Sequence, residues 1–93
     1  MAIRLLIAST VKPGQAKAYA QAFAPIEKET QGEPGCEQYE LFQSVQNPDK
    51  LVLMERWTDQ KSLDAHLEIM KKRDMSTHSA LRAAPPSRER YEI

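Results

Sequence analysis

The chain has 93 residues, 41% hydrophobic and 28% charged, with 13 Lys plus Arg set against 13 Asp plus Glu. That is the length of one small domain, residues 1–93, with apolar content sufficient for a core. A formal net charge of zero offers no positive field for nucleic acid, and no run approaches the roughly 20 apolar residues that span a bilayer, so neither is an expected partner.

Cys36 is the only cysteine, which rules out an intrachain disulfide and a multi-cysteine metal site. It suits a reducing compartment. The start of the chain lacks a long apolar h-region and a cleavage site, and a cytoplasmic location is expected.

Residues 2–8 (AIRLLIA) are apolar on both faces, as in a central strand covered on both sides. Pro13-Gly14 signals a turn. From Gln15 the period changes: Ala16, Tyr19, Ala20, Phe23 and Ala24 form one helical stripe. Pro25 interrupts it, so a kink, or a stop and restart towards Thr30, is expected there. Residues 36–45 alternate as a strand, Asn47-Pro48-Asp49 is a turn, and Lys50 to Trp57 returns as the second arm of a hairpin. Thr58 or Asp59 can cap the next helix, in which Leu63, His66, Leu67 and Met70 share a face. A shorter helical segment is expected from Met75 to Ala84, ended by Pro85-Pro86, and residues 88–93 make a last strand.

The order β-α-β-β-α-β predicts an α+β, ferredoxin-like domain with an antiparallel sheet and both helices on one face. The first and third strands nevertheless carry apolar residues on both sides. An exposed apolar sheet face marks an interface, so a homodimer is expected.

His66 is the most informative position. It lies in an apolar helical stripe, where imidazole can exchange protons near neutral pH, although a hydrogen-bonded core histidine would occupy the same place. Trp57 offers a flat apolar wall and one N–H donor. Tyr39 offers a phenol. Glu55 shares a strand face with Leu51, Leu53 and Trp57, so its carboxylate needs a partner, protonation or a place at a pocket rim; Arg4 and Arg56 are the candidate partners. Each of these residues has a plain packing role as its alternative. His66 and His78 lack an obvious third ligand, so no metal site is expected. No GxGxxG, Walker, HExxH, CxxC or GxSxG pattern occurs.

Glu33-Pro34-Gly35-Cys36, Tyr39 and Leu41, Asn47-Pro48-Asp49, Glu55-Arg56-Trp57, then Asp59, Leu63, Ala65 and His66 together resemble the antibiotic biosynthesis monooxygenase (ABM) domain. The resemblance covers roughly residues 3–93. It implies a ferredoxin-like subunit and a dimeric α/β barrel. Members include cofactor-free quinol monooxygenases, haem-degrading oxygenases and a sugar-phosphate isomerase. The haem-degrading branch carries a first-strand asparagine, whereas the only asparagine here, Asn47, lies in a turn. It also has a tryptophan about where His66 stands, so haem is discounted.

The resemblance thus implies a cofactor-independent monooxygenase acting with O₂ on a small aromatic quinol or polyphenol. His66 would be the base, Tyr39 the oxyanion donor, Trp57 the substrate wall and Glu55 a further substrate-binding group. A non-oxidative isomerase or lyase using His66 for proton transfer is the first alternative. A non-catalytic dimeric ligand-binding or stress-response domain is the second.

Overall fold

The computed structural model describes residues 1–93, in the order β1 (Ile3–Thr10), α1 (Ala16–Gln31), β2 (Cys36–Gln43), β3 (Lys50–Trp57), α2 (Gln60–Lys71), α3 (Ser76–Leu81) and β4 (Ser87–Glu92). The strands form one sheet, β2-β3-β1-β4, in which every neighbouring pair is antiparallel. This is the α+β arrangement that the element order predicts. No helix is long and apolar enough to cross a membrane.

Strand alternation decides which side chains meet the helices. Ile3, Leu51, Leu53, Trp57 and Tyr39 enter the core with Tyr19, Phe23 and Ile26 of α1 and Leu63 of α2. Burying a large apolar side chain contributes roughly 1.5–3 kcal/mol, so these positions carry most of the fold. Trp57 has no exposed surface at all.

Pro25 does not divide α1. The helix runs unbroken from Ala16 to Gln31. Proline removes one N–H donor, leaving the Gln21 carbonyl without its helical partner. Gln21 and Pro25 are both exposed, so water can satisfy that carbonyl. The second helix is capped by Asp59, whose carboxylate accepts the Ser62 N–H at 2.8 Å.

Gly35 explains the turn that leads into β2. Its φ is +80°, and a Cβ there would overlap Ser62 Oγ and Cβ, so the backbone conformation and the close approach to α2 both demand glycine. The Thr58 N–H donates to the Gly35 carbonyl at 2.8 Å. A bulge between Cys36 and Gln38 then turns Glu37 outward, where its carboxylate meets Arg56 at 2.7 Å and Thr58 Oγ1 at 2.9 Å.

The opposite sheet face has no covering element. Phe42–Val52–Ala8 and Met54–Leu6 are register neighbours across it. Leu6, Val52 and Met54 are only half-buried, while Phe42 and Tyr91 are exposed. Glu40 and Glu89 flank the Met54–Leu6 row, and Arg4 and Arg56 stand in the next.

Candidate functional site

Between the sheet and the helices lies a cavity of about 360 Å³, lined by 18 residues of which 11 are hydrophobic. Such a lining favours an apolar or aromatic guest held by few polar groups. Leu5, Ile7, Leu41 and Leu53 form its sheet floor, while Leu63, Leu67, Met70 and Phe23 form its helical roof.

One register row crosses the whole sheet beneath it: Tyr39, Glu55, Leu5 and Arg90 are successive partners. His66 comes down on this row from α2. Its ring lies 4.7 Å from the Trp57 ring and 5.4 Å from the Tyr39 ring, centroid to centroid. Tyr39, Glu55 and His66 all line the cavity and are all buried. Trp57 stands behind them, with no exposed surface. The four residues singled out in the sequence therefore form one cluster, with Trp57 as its backing and the other three on the cavity wall.

Two carboxyl groups bracket the imidazole. Glu33 Oε1 lies 2.9 Å from His66 Nδ1, and Glu55 Oε1 lies 4.0 Å from His66 Nε2. A proton on Nδ1 is donated to Glu33, which leaves the Nε2 lone pair free on the other side. Glu55 in turn accepts the Trp57 indole N–H at 3.0 Å. Arg4 and Arg56, the expected partners of Glu55, lie on the opposite sheet face. Arg4 donates to the Gln38 side chain and Arg56 to Glu37. Alternation along the strand separates them from the Glu55 carboxylate, whose neighbours are the indole and the imidazole, while Arg4 Nη1 reaches only the Glu55 backbone carbonyl at 3.5 Å.

Burial pushes the Glu55 carboxyl above the ordinary glutamate range, with the indole hydrogen bond and His66 opposing. Burial, helped by Glu55, also holds the Tyr39 hydroxyl well above the usual phenol range, so near neutrality it is a donor rather than a base. Burial pushes the Cys36 thiol up to about 11, with Glu33 and Glu55 adding to the shift, and an un-ionised thiol is a poor nucleophile.

At the other end of the cavity, the Tyr19 hydroxyl receives Arg82 Nε at 3.1 Å and Nη2 at 2.9 Å, with Ser9 Oγ at 3.4 Å. Arg88 and Arg90, from the cavity face of β4, complete the lining together with Gln60. His78 is apart from this site. It packs edge-on against Phe23 and Tyr19, at 5.0 and 5.8 Å, and burial pushes its pKa down, so it serves as a neutral packing group. No cluster of three or more His, Cys, Asp or Glu side chains is placed to hold a metal ion.

Sequence reasoning missed Glu33 as the partner of His66, and missed Arg82, Ser9 and Tyr19 as cavity groups. The only signal for Glu33 was its place beside Pro34-Gly35, the turn that docks against α2.

Comparisons with known proteins agree with this architecture. A conserved protein from Methanosarcina mazei Go1 is 28% identical, with a TM-score of 0.84 over 98% of this chain and 91% of its own. A candidate antibiotic biosynthesis monooxygenase from Nitrosomonas europaea superposes with a TM-score of 0.86 at 22% identity, covering 97% of this chain and 88% of that one. Another, from Caulobacter crescentus CB15, gives 0.85 at 19% identity, with coverage of 99% and 89%. The last two share the fold. Among curated proteins no match is found. Residues 2–69, from the first strand through His66 and most of α2, match the model of the antibiotic biosynthesis monooxygenase family, and the chain belongs to that family.

Proposed function

We propose that the protein is a cofactor-independent monooxygenase that oxidises a small quinol or polyphenol with O₂. The observation that carries this proposal is the pairing of a largely apolar cavity with a buried imidazole held by Glu33 on its far nitrogen. Ground-state O₂ reacts slowly with closed-shell molecules, so without a cofactor the substrate itself must supply the electrons. A quinol does so once it is deprotonated and shielded from water.

In the proposed reaction His66 Nε2 takes a proton from the quinol hydroxyl. The resulting anion passes an electron to O₂, and the two recombine as a C–O bond at a ring carbon. Loss of water from the hydroperoxide gives the hydroxylated quinone, with His66 returning its proton to the departing oxygen. One oxygen atom enters the product and the other leaves as water. Tyr39, held as a phenol, donates to the developing oxyanion. Glu55 lies at the same end of the cavity as a further substrate contact, and Trp57 fixes its orientation through the indole N–H.

The working form is proposed to be a homodimer in the cytoplasm, paired through the uncovered sheet face. That face has an apolar centre at Leu6, Val52, Met54 and Phe42 with charges of both signs around it, which suits a self-complementary two-fold contact.

Incubation with a panel of hydroquinones under air and under nitrogen tests the chemistry. The proposal expects product only in air, with one labelled atom incorporated from ¹⁸O₂. Product formed equally under nitrogen would favour proton-transfer isomerisation by the same histidine.

A further inference from the structure

The cavity's charges are distributed unevenly. The chain as a whole is neutral, yet Arg82, Arg88 and Arg90 line this space against the single carboxyl of Glu55, whose ionised form burial disfavours. Arg90 has partners of its own in Glu92, at 3.3 Å, and the Gln60 side chain. Arg82 is half-buried, and its side chain bonds only the Tyr19 hydroxyl. The Arg88 side chain makes no hydrogen bond or ion pair within the chain, and it lines the cavity together with Glu55. Half-buried Arg82 therefore meets an apolar space without an anion beside it, and exposed Arg88 stands free at the rim of the same space, so a bound anion could engage both.

Their placement is ordered by the sheet. Leu41, Leu53, Ile7 and Arg88 are successive partners, one pair along from the row of Tyr39, Glu55, Leu5 and Arg90. The proton-handling groups stand over β2 and β3, Arg88 and Arg90 over β4, and Arg82 beside Tyr19 and Ser9, while the apolar side chains of β1 lie between β3 and β4. With strands about 4.8 Å apart, β3 and β4 are separated by roughly 10 Å. Side chains reaching inward from both strands leave the span of one substituted aromatic ring.

We infer that the substrate is an anionic hydroxyaromatic: a ring over Leu5, Ile7 and Leu53, its hydroxyl towards His66 and a carboxylate on the opposite edge bound by Arg88, with Arg82 as the second cation. The inference deepens the proposal above, because it takes this cavity as the substrate site. A guanidinium reads a carboxylate in bidentate fashion, which orients the ring as well as attracting it.

The test compares 2,5-dihydroxybenzoate, its methyl ester and unsubstituted hydroquinone by calorimetric titration of the parent and of Arg88→Gln, with oxygen uptake recorded in parallel. Arg88 is on an exposed edge strand, so the variant should keep the parent's circular dichroism spectrum. The acid is expected to bind about tenfold more tightly than the ester, an advantage that shrinks as salt screens the pair. Arg88→Gln is expected to bring the acid within about threefold of the ester, and Arg82→Gln in the same chain to remove the difference. Equal affinities for acid and ester in the parent, an advantage that survives both substitutions, or no binding of any of the three would overturn the inference. The two ideas separate cleanly. An Arg88-dependent preference without oxygen uptake keeps the anionic ligand and removes the oxidation. His66-dependent uptake with no preference for the acid does the reverse.

Discussion

Glu33 and His66 stand 33 residues apart in the chain and meet at 2.9 Å. The contact is built by the turn after α1. Gly35 presses that turn against Ser62, and Ser62 and His66 are one helical turn apart on α2. Glu33 is thereby delivered to Nδ1, while Nε2 lies 4.0 Å from Glu55 Oε1. Glu33 does not itself line the cavity and touches it only through the imidazole, so its proposed part is that of a positioning residue.

Glu33→Ala should lower kcat roughly ten- to a hundredfold with little change in KM, since the imidazole loses the group that fixes its tautomer and orientation. Glu33→Gln keeps an acceptor for the Nδ1 proton and should recover much of the loss. Steady-state kinetics on both variants checks this, and equal loss in both would make charge, not orientation, the operative property.

Gly35→Ala should destabilise the protein on two grounds. Holding alanine at φ +80° costs about 1–2 kcal/mol, and its Cβ overlaps Ser62. At roughly 4–8 °C per kcal/mol for a domain of this size, Tm should fall by about 5–15 °C. Adding Ser62→Gly relieves the overlap but not the backbone term, so it should restore only part of the loss in a thermal melt.

The strands, the hairpin and the position of α2 were legible because alternation and helical periodicity are local. Tyr39, Glu55, Trp57 and His66 were legible as candidates because polar or aromatic groups stand out on apolar faces. Their mutual wiring was not. Glu55 has Arg56 beside it in the chain and Arg4 one residue away from its partner Leu5, yet strand alternation turns both arginines to the other face. Trp57 read as a wall for the substrate, but complete burial sets it behind Glu55 and His66. The continuity of α1 through Pro25 was hidden for a different reason. An exposed proline gives up one hydrogen bond that water can replace, while Tyr19, Phe23 and Ile26 keep the same buried face on both sides of it.

Glu55 makes a pH-dependent demand on the fold. Its folded pKa is raised, so in the window from about pH 4 upward the native state holds a proton that the unfolded state has lost. Stability therefore falls as pH rises through that window and stays at the lower level above the folded pKa. Glu55→Gln removes this slope while its carbonyl can still accept the Trp57 N–H. Urea midpoints should match the parent near pH 4 and exceed it increasingly as pH rises; the opposite trend would show the ionised carboxylate to be a stabilising group.

Leu6 lies at the centre of the uncovered face, between Met54 and Glu89. Leu6→Glu would bury a charge in the proposed two-fold contact, where an unpaired ion is strongly disfavoured. The parent should scatter light as a dimer at micromolar concentration and the variant as a folded monomer. A parent that remains monomeric would remove the dimer.

The most direct measurement is oxygen uptake by the parent and by His66→Gln, side by side, with a hydroquinone in excess. Loss of a positioned general base commonly lowers rates by roughly 10²–10⁴. The parent should consume oxygen at a steady catalytic rate and the variant should fall by a factor in that range while retaining the parent's circular dichroism spectrum. Equal uptake by the two proteins, or none above buffer by either, would contradict a reaction driven from His66.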